Sequence, residues 1–160
     1  MAVTENIDIQ AMLDVAGVDP VKMERNEKRH LQVQHDGGGL IPIFAGQALT
    51  DEQDQILQPT PANTYEEFHS HELTLINGLR GAGMSRYTDD DTAPCIRANT
   101  GAGTIATPFG VKYEIFNDKM PWVTEHVTLD SLDDFDADTA PLGDVMELVM
   151  ERSAYLAEKP

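Results

Sequence analysis

At 160 residues the chain has the length of one domain, and its 41% hydrophobic content suits a folded core rather than disorder. A net charge of −17, from 28 acidic against 11 basic residues, repels phosphate backbones and excludes nucleic-acid binding through a basic face. Its apolar runs are too short to cross a bilayer, and the acidic opening MAVTENIDIQ lacks the basic-then-apolar order of a signal peptide, so a soluble cytoplasmic protein is expected.

Residues 5–17 suit a short helix with Ile9, Met12, Leu13 and Ala16 on one side. Asp19-Pro20 reads as an N-cap followed by proline at the first helical position, opening a helix that runs through KMERNEKRHLQVQ to Gly37-Gly38-Gly39. Its Lys22, Arg25, Lys28 and Arg29 are read as a solvated helix face, with attraction to anionic groups as the alternative. Residues 40–45 are short, apolar and β-branched, hence a strand, and Pro42 suits a strand start or edge.

Thr50-x-x-Gln53 is a capping box for a short helix, and Thr64-x-x-Glu67 opens what reads as the longest helix, about residues 65–83. Phe68, Leu75, Ile76 and Leu79 should face the core there, with Gly78, Gly81 and Gly83 permitting close packing or fraying the end. The Asp89-Asp90-Asp91 run reads as a solvated loop. Residues 111–116 alternate as a half-buried strand, residues 131–134 suit a single helical turn, and Trp122 suits core or lid packing, with stacking on a ligand as a pocket wall near Arg97 as the alternative. A final helix follows Gly143, with Val145, Met146, Val149, Met150 and Leu156 along one face.

GAGTIA at residues 101–106 fits the dinucleotide pattern G-x-G-x-x-G/A letter for letter. The pattern carries chemistry only between a buried strand and a long helix, whose N-terminus meets the phosphates. Here Arg97 and Asn99 precede it, and Pro108 and Gly110 prevent a long helix from following, so the match is accidental. What remains is a glycine-lined bend in which Arg97, Asn99, Thr100, Gly101 and Gly103 offer a wall for an anionic ligand. A tight turn with Arg97 paired to a nearby aspartate fits the same residues.

The run TYEEFHSHELTLINGLRGAGMSRY, the acidic loop DDDTAP and then CIRANTGAGTIATPFGVKYEIFNDKMPWV resemble the N-terminal part of the uroporphyrinogen decarboxylase-like superfamily, near its corrinoid-dependent methyltransferases. The resemblance implies an α/β chain that supplies the N-terminal portion of a (β/α)₈ TIM barrel, one partial domain over 1–160, incomplete because such a barrel takes about 250 residues. It implies porphyrin biosynthesis chemistry: a decarboxylase (lyase) acting on an anionic tetrapyrrole, or a methyltransferase handling a corrinoid methyl group. Arg97, Asn99, Thr100, Gly101 and Gly103 would then bind the ligand, and a homo-oligomer or a C-terminal partner would complete the barrel. Where the family's decarboxylases carry Arg-Gln-Ala-Gly-Arg, this chain reads Ile43-Phe44-Ala45-Gly46-Gln47-Ala48, without an arginine. The alternative is therefore a non-catalytic acidic binding or assembly module retaining only that segment.

No cofactor and no metal is expected. His69 and His71 lie two apart, which on one helix turns them about 200° from each other and away from a shared ion. The aspartate runs lack the spacing and glycine of an EF-hand. The lone Cys95 forms no internal disulfide.

Overall fold

A computed structural model describes residues 7–17, 19–36, 43–45, 48–86, 88–101, 103–132, 135–136, 138 and 142–159. The chain divides into two units, the first holding residues 1–61 and 75–96 with residue 160, the second holding 62–74 and 97–159.

In the first unit, α1 (Ile9–Ala16) begins where the Asp8 side chain accepts the Ala11 N–H at 3.0 Å. α2 (Pro20–Asp36) starts as its sequence dictates: Asp19 Oδ1 accepts the Val21 and Lys22 N–H groups at 2.9 and 3.2 Å, and proline occupies the first turn. The expected glycine stop of this helix lies outside the described residues. α3 (Asp51–Ile56) carries the reciprocal Thr50–Gln53 capping box.

Residues 75–86 belong to α5 (His71–Arg86), whose Leu75, Ile76, Leu79 and Ala82 make the core with Met12, Ala16 and Leu57. Each fully buried leucine, isoleucine or methionine there contributes roughly 1.5–3 kcal/mol. Gly83 is what lets the layers close. A Cβ at that position would collide with Leu57 Cδ1 and lie 3.5 Å from the Ala16 Cα.

The second unit contains α4 (Thr64–Phe68), the first residues of α5, a 3₁₀ helix over Thr104–Phe109, β1 (Lys112–Glu114), β2 (Trp122–Glu125), α6 (Leu129–Leu132) and α7 (Asp144–Ala157). The single helix expected over 65–83 is broken. Asn63 and Glu66 form the capping box of α4, one residue ahead of the expected pair, and Ser70 then starts α5 by accepting the Leu73 N–H at 3.2 Å. A serine hydroxyl competes for helical N–H groups, so a new N-terminus forms inside a periodic stretch. α7 lies against the 3₁₀ helix.

β1 and β2 pair antiparallel, with Tyr113 opposite Val123 and Glu114 opposite Trp122. A register irregularity next to Tyr113 brings Glu125 opposite Lys112, and their side chains pair at 2.7 Å.

This architecture overturns the barrel. A (β/α)₈ sector needs parallel strands joined by helical crossovers, each strand apolar on both faces. The described residues instead form helices and one two-stranded antiparallel sheet whose strands are three and four residues long. The strand expected over 40–45 does not form in its described part. Residues 43–45 have no strand geometry and bond to the acidic loop, and residues 40–42 lie outside the described set. Among the described residues no helix is long and apolar enough to cross a membrane.

Candidate functional site

The glycine bend is held by its own side chains. Asn99 Oδ1 accepts the Gly101 N–H at 3.1 Å, the Thr100 and Thr104 hydroxyls meet at 2.6 Å, and Thr104 Oγ1 donates to the Gly101 carbonyl at 3.1 Å. Tyr113 reaches in from β1, and its hydroxyl donates to the Thr100 carbonyl. Burial pushes the Tyr113 phenol above its ordinary pKa, against a smaller opposing pull from Thr104.

The glycines exist for that ring. Gly101 has φ +91°, and a Cβ there would collide with Tyr113 Oη; a Cβ on Gly103 would stand 2.5 Å from Val123 Cγ2 and 2.8 Å from Tyr113 Cε2. Gly101→Ala is therefore predicted to lower the unfolding free energy by about 1–3 kcal/mol. In a urea titration, combining it with Tyr113→Ala should cost less than the two single losses together, whereas strict additivity would contradict the contact.

The structure thus brings four of the five sequence-selected residues, Asn99, Thr100, Gly101 and Gly103, into one turn. It leaves Arg97 exposed, with no hydrogen bond or ion pair among the described residues. The Gly101 N–H that would greet an anion is already taken by Asn99. Ala102, between the glycines, lies outside the described residues.

Sequence reasoning missed the arginine that anchors this turn. Arg152, on α7, is 1% exposed and donates through Nη1 to the Asn99 carbonyl at 2.8 Å and through Nη2 to the Phe68 carbonyl. Its guanidinium lies 5.6 Å from the Phe68 ring centroid, and its Nε has no partner among the described residues. Burial pulls its pKa down while the Glu67 carboxylate pushes it back up. The signal was available: Val145, Val149, Arg152 and Leu156 are spaced by four, three and four, so the arginine sits in the inward stripe. Met150, expected on that stripe, is exposed.

In the first unit, Lys28 of the α2 basic cluster stays on the solvated face and pairs with Glu24 at 2.6 Å, but the other three cations and the three aspartates are not separate surfaces. They bind each other. Lys22 Nζ meets Asp90 Oδ1 at 2.8 Å with both side chains buried, Arg25 meets Asp89 at 2.9 Å, and Arg29 meets Asp91 at 2.6 Å. Asn26, fully buried, donates to the Asp90 and Thr92 carbonyls at 2.9 and 2.8 Å. Asp90 Oδ2 accepts the Ala45 N–H at 2.9 Å and the Thr92 hydroxyl at 2.5 Å. Desolvation alone would raise the Asp90 pKa, but the bonds from Lys22, Thr92 and Ala45 outweigh it and hold the carboxyl well below the usual carboxylate range.

The histidines are separated by the break at Ser70. His69 is exposed with its Nδ1 2.8 Å from the Tyr65 carbonyl, while His71 stacks near Tyr155 at 5.7 Å and has Nε2 4.0 Å from Glu151. An open groove of about 380 Å³ runs along Asp8, Ala11, Ile56, Pro59 and Pro61 of the first unit, and no sequence-selected residue lines it. No family model, curated protein or solved structure matches the chain.

Proposed function

We propose that this protein is a non-catalytic acidic binding module whose partner is a basic protein. One observation carries the reading: ten of the eleven lysines and arginines have partners within the molecule, Arg97 being the exception among the described residues. Lys22, Arg25, Lys28, Arg29, Arg80 and Lys112 are ion-paired with its own carboxylates. Arg86 and Arg152 donate to backbone carbonyls, and Lys119 and Lys159 lie over aromatic rings. Few cations are left over to offset the net charge of −17. A field of one sign steers and holds a partner of the other sign, and it drives copies of this chain apart.

The decarboxylase and methyltransferase reading draws its motivation from motif order, and the observed fold adds nothing to it. Its arginine, Arg97, is exposed, and the neighbouring turn is closed on Tyr113.

Titration calorimetry tests the module reading. The full chain is predicted to bind a lysine–glycine repeat peptide at low ionic strength and to ignore a glutamate–glycine repeat of equal length. No heat with the cationic peptide, or equal affinity for both, would end the proposal.

A further inference from the structure

The hairpin turns an indole and a carboxylate to the same side. Trp122 stands opposite Glu114 in the ladder, and strand alternation points both away from the face that Tyr113 and Val123 press onto the glycine bend. Directly opposed residues hold their Cβ atoms about 4.5–5.5 Å apart, close enough for one ligand group to touch both. Trp122 is 65% exposed, although burying an aromatic of its size is among the largest stabilisations a small unit can gain. Met120 beside it is exposed as well.

The charges around this pair point one way. Lys112 is held by Glu125 at 2.7 Å, and Lys119 Nζ sits 4.0 Å from the Phe116 ring centroid. Both hairpin cations are therefore turned to internal partners. Glu114 has no lysine or arginine partner among the described residues, and Asp118 is exposed nearby in sequence. A negative π-face next to a carboxylate attracts a planar cation: guanidinium stacks on indole while its edge N–H groups donate to carboxylate oxygens. Among the described residues the two strands pair only with each other, so the hairpin also presents edge backbone groups that an extended segment can bond.

Building on the acidic-module reading, we infer that Trp122 and Glu114 form a receptor for an arginine side chain of a basic, extended protein segment. Arginine fits better than lysine because its plane matches the indole and its fork matches the carboxylate.

Trp122 is the only tryptophan, so its emission reports on this site alone. An arginine–glycine repeat peptide should change that emission saturably, over the same concentrations at which calorimetry shows binding. Trp122→Ala should weaken the peptide about tenfold. Glu114→Gln should weaken it more than Glu158→Gln, which removes the same charge from an exposed position after α7. All three positions are exposed, and unchanged circular dichroism and urea midpoints would establish that the variants remain folded. Parental affinity in Trp122→Ala, or equal losses in the two glutamine variants, would overturn the receptor while leaving the module reading intact. Failure of the peptide to bind the parent chain would overturn both.

Discussion

Asp90→Asn should remove about 3 kcal/mol of stability at neutral pH, the low end of the cost of breaking a buried ion pair. The low end applies because asparagine keeps one oxygen that can accept from Ala45 or Thr92. What it loses is the charge opposite Lys22, an ammonium only 9% exposed that also donates to the Thr88 carbonyl at 2.5 Å. Lys22→Met should be damaging for the mirror reason, leaving Asp90 buried without its cation. Because the two groups share one interaction, the double variant should be more stable than the sum of the single losses implies.

The pH dependence follows from the direction of the Asp90 shift. Its folded-state pKa lies below that of the unfolded chain, about 3.9. The stabilisation is therefore complete above that value and disappears as pH falls through the folded pKa. Parent and Asp90→Asn should differ most at neutral pH and converge in strong acid, read by urea unfolding across that range. A constant gap down to acid would mean that Asp90 acts without its charge.

The second large effect is at Arg152. Two backbone carbonyls, one on α4 and one in the glycine bend, depend on its guanidinium, and hydrogen bonds from charged donors contribute about 1.5–3 kcal/mol each. Arg152→Ala should cost about 3–4 kcal/mol, since it also empties the space beside Phe68. Arg152→Met should cost about 2 kcal/mol, because it fills that space and removes the unpartnered Nε along with the useful donors. Arg152→Lys should recover little, for an ammonium cannot span both carbonyls. Chemical unfolding midpoints in the order parent, Met, Ala would bear this out; an alanine variant as stable as the parent would show that the arginine is incidental. Since Asn99 leads to Thr100 and the Tyr113 bond, loosening Arg152 should also broaden the environment of Trp122 on the same hairpin.

Local chemistry was readable from the chain wherever the controlling residues were neighbours. Asp19-Pro20, Thr50 with Gln53, and Gly143 before the last helix all start elements where their side chains or backbone freedom require it. Ser70 shows the limit, since its hydroxyl divides a stretch whose apolar spacing reads as continuous. Asp90 shows a different limit. Its partner Lys22 is 68 positions away, and no local pattern announces such a pairing. The complementary counts, four cations on one helix and three successive aspartates, were nevertheless visible.

Trp122, read as core or lid packing, is exposed, because an alternating strand does not reveal which of its faces will be covered. The motif order that resembles a barrel enzyme fixes residue types in sequence but not the parallel pairing a barrel requires. The glycines within it serve a tyrosine instead.

The salt dependence of peptide binding is the most direct test that unneutralised surface carboxylate is what this molecule offers a partner. The account predicts that affinity for the lysine–glycine repeat falls steadily as salt is raised, linear in logarithmic coordinates, while the urea midpoint of the chain changes far less because its buried Lys22–Asp90 pair is poorly screened. Affinity that is indifferent to salt would contradict it.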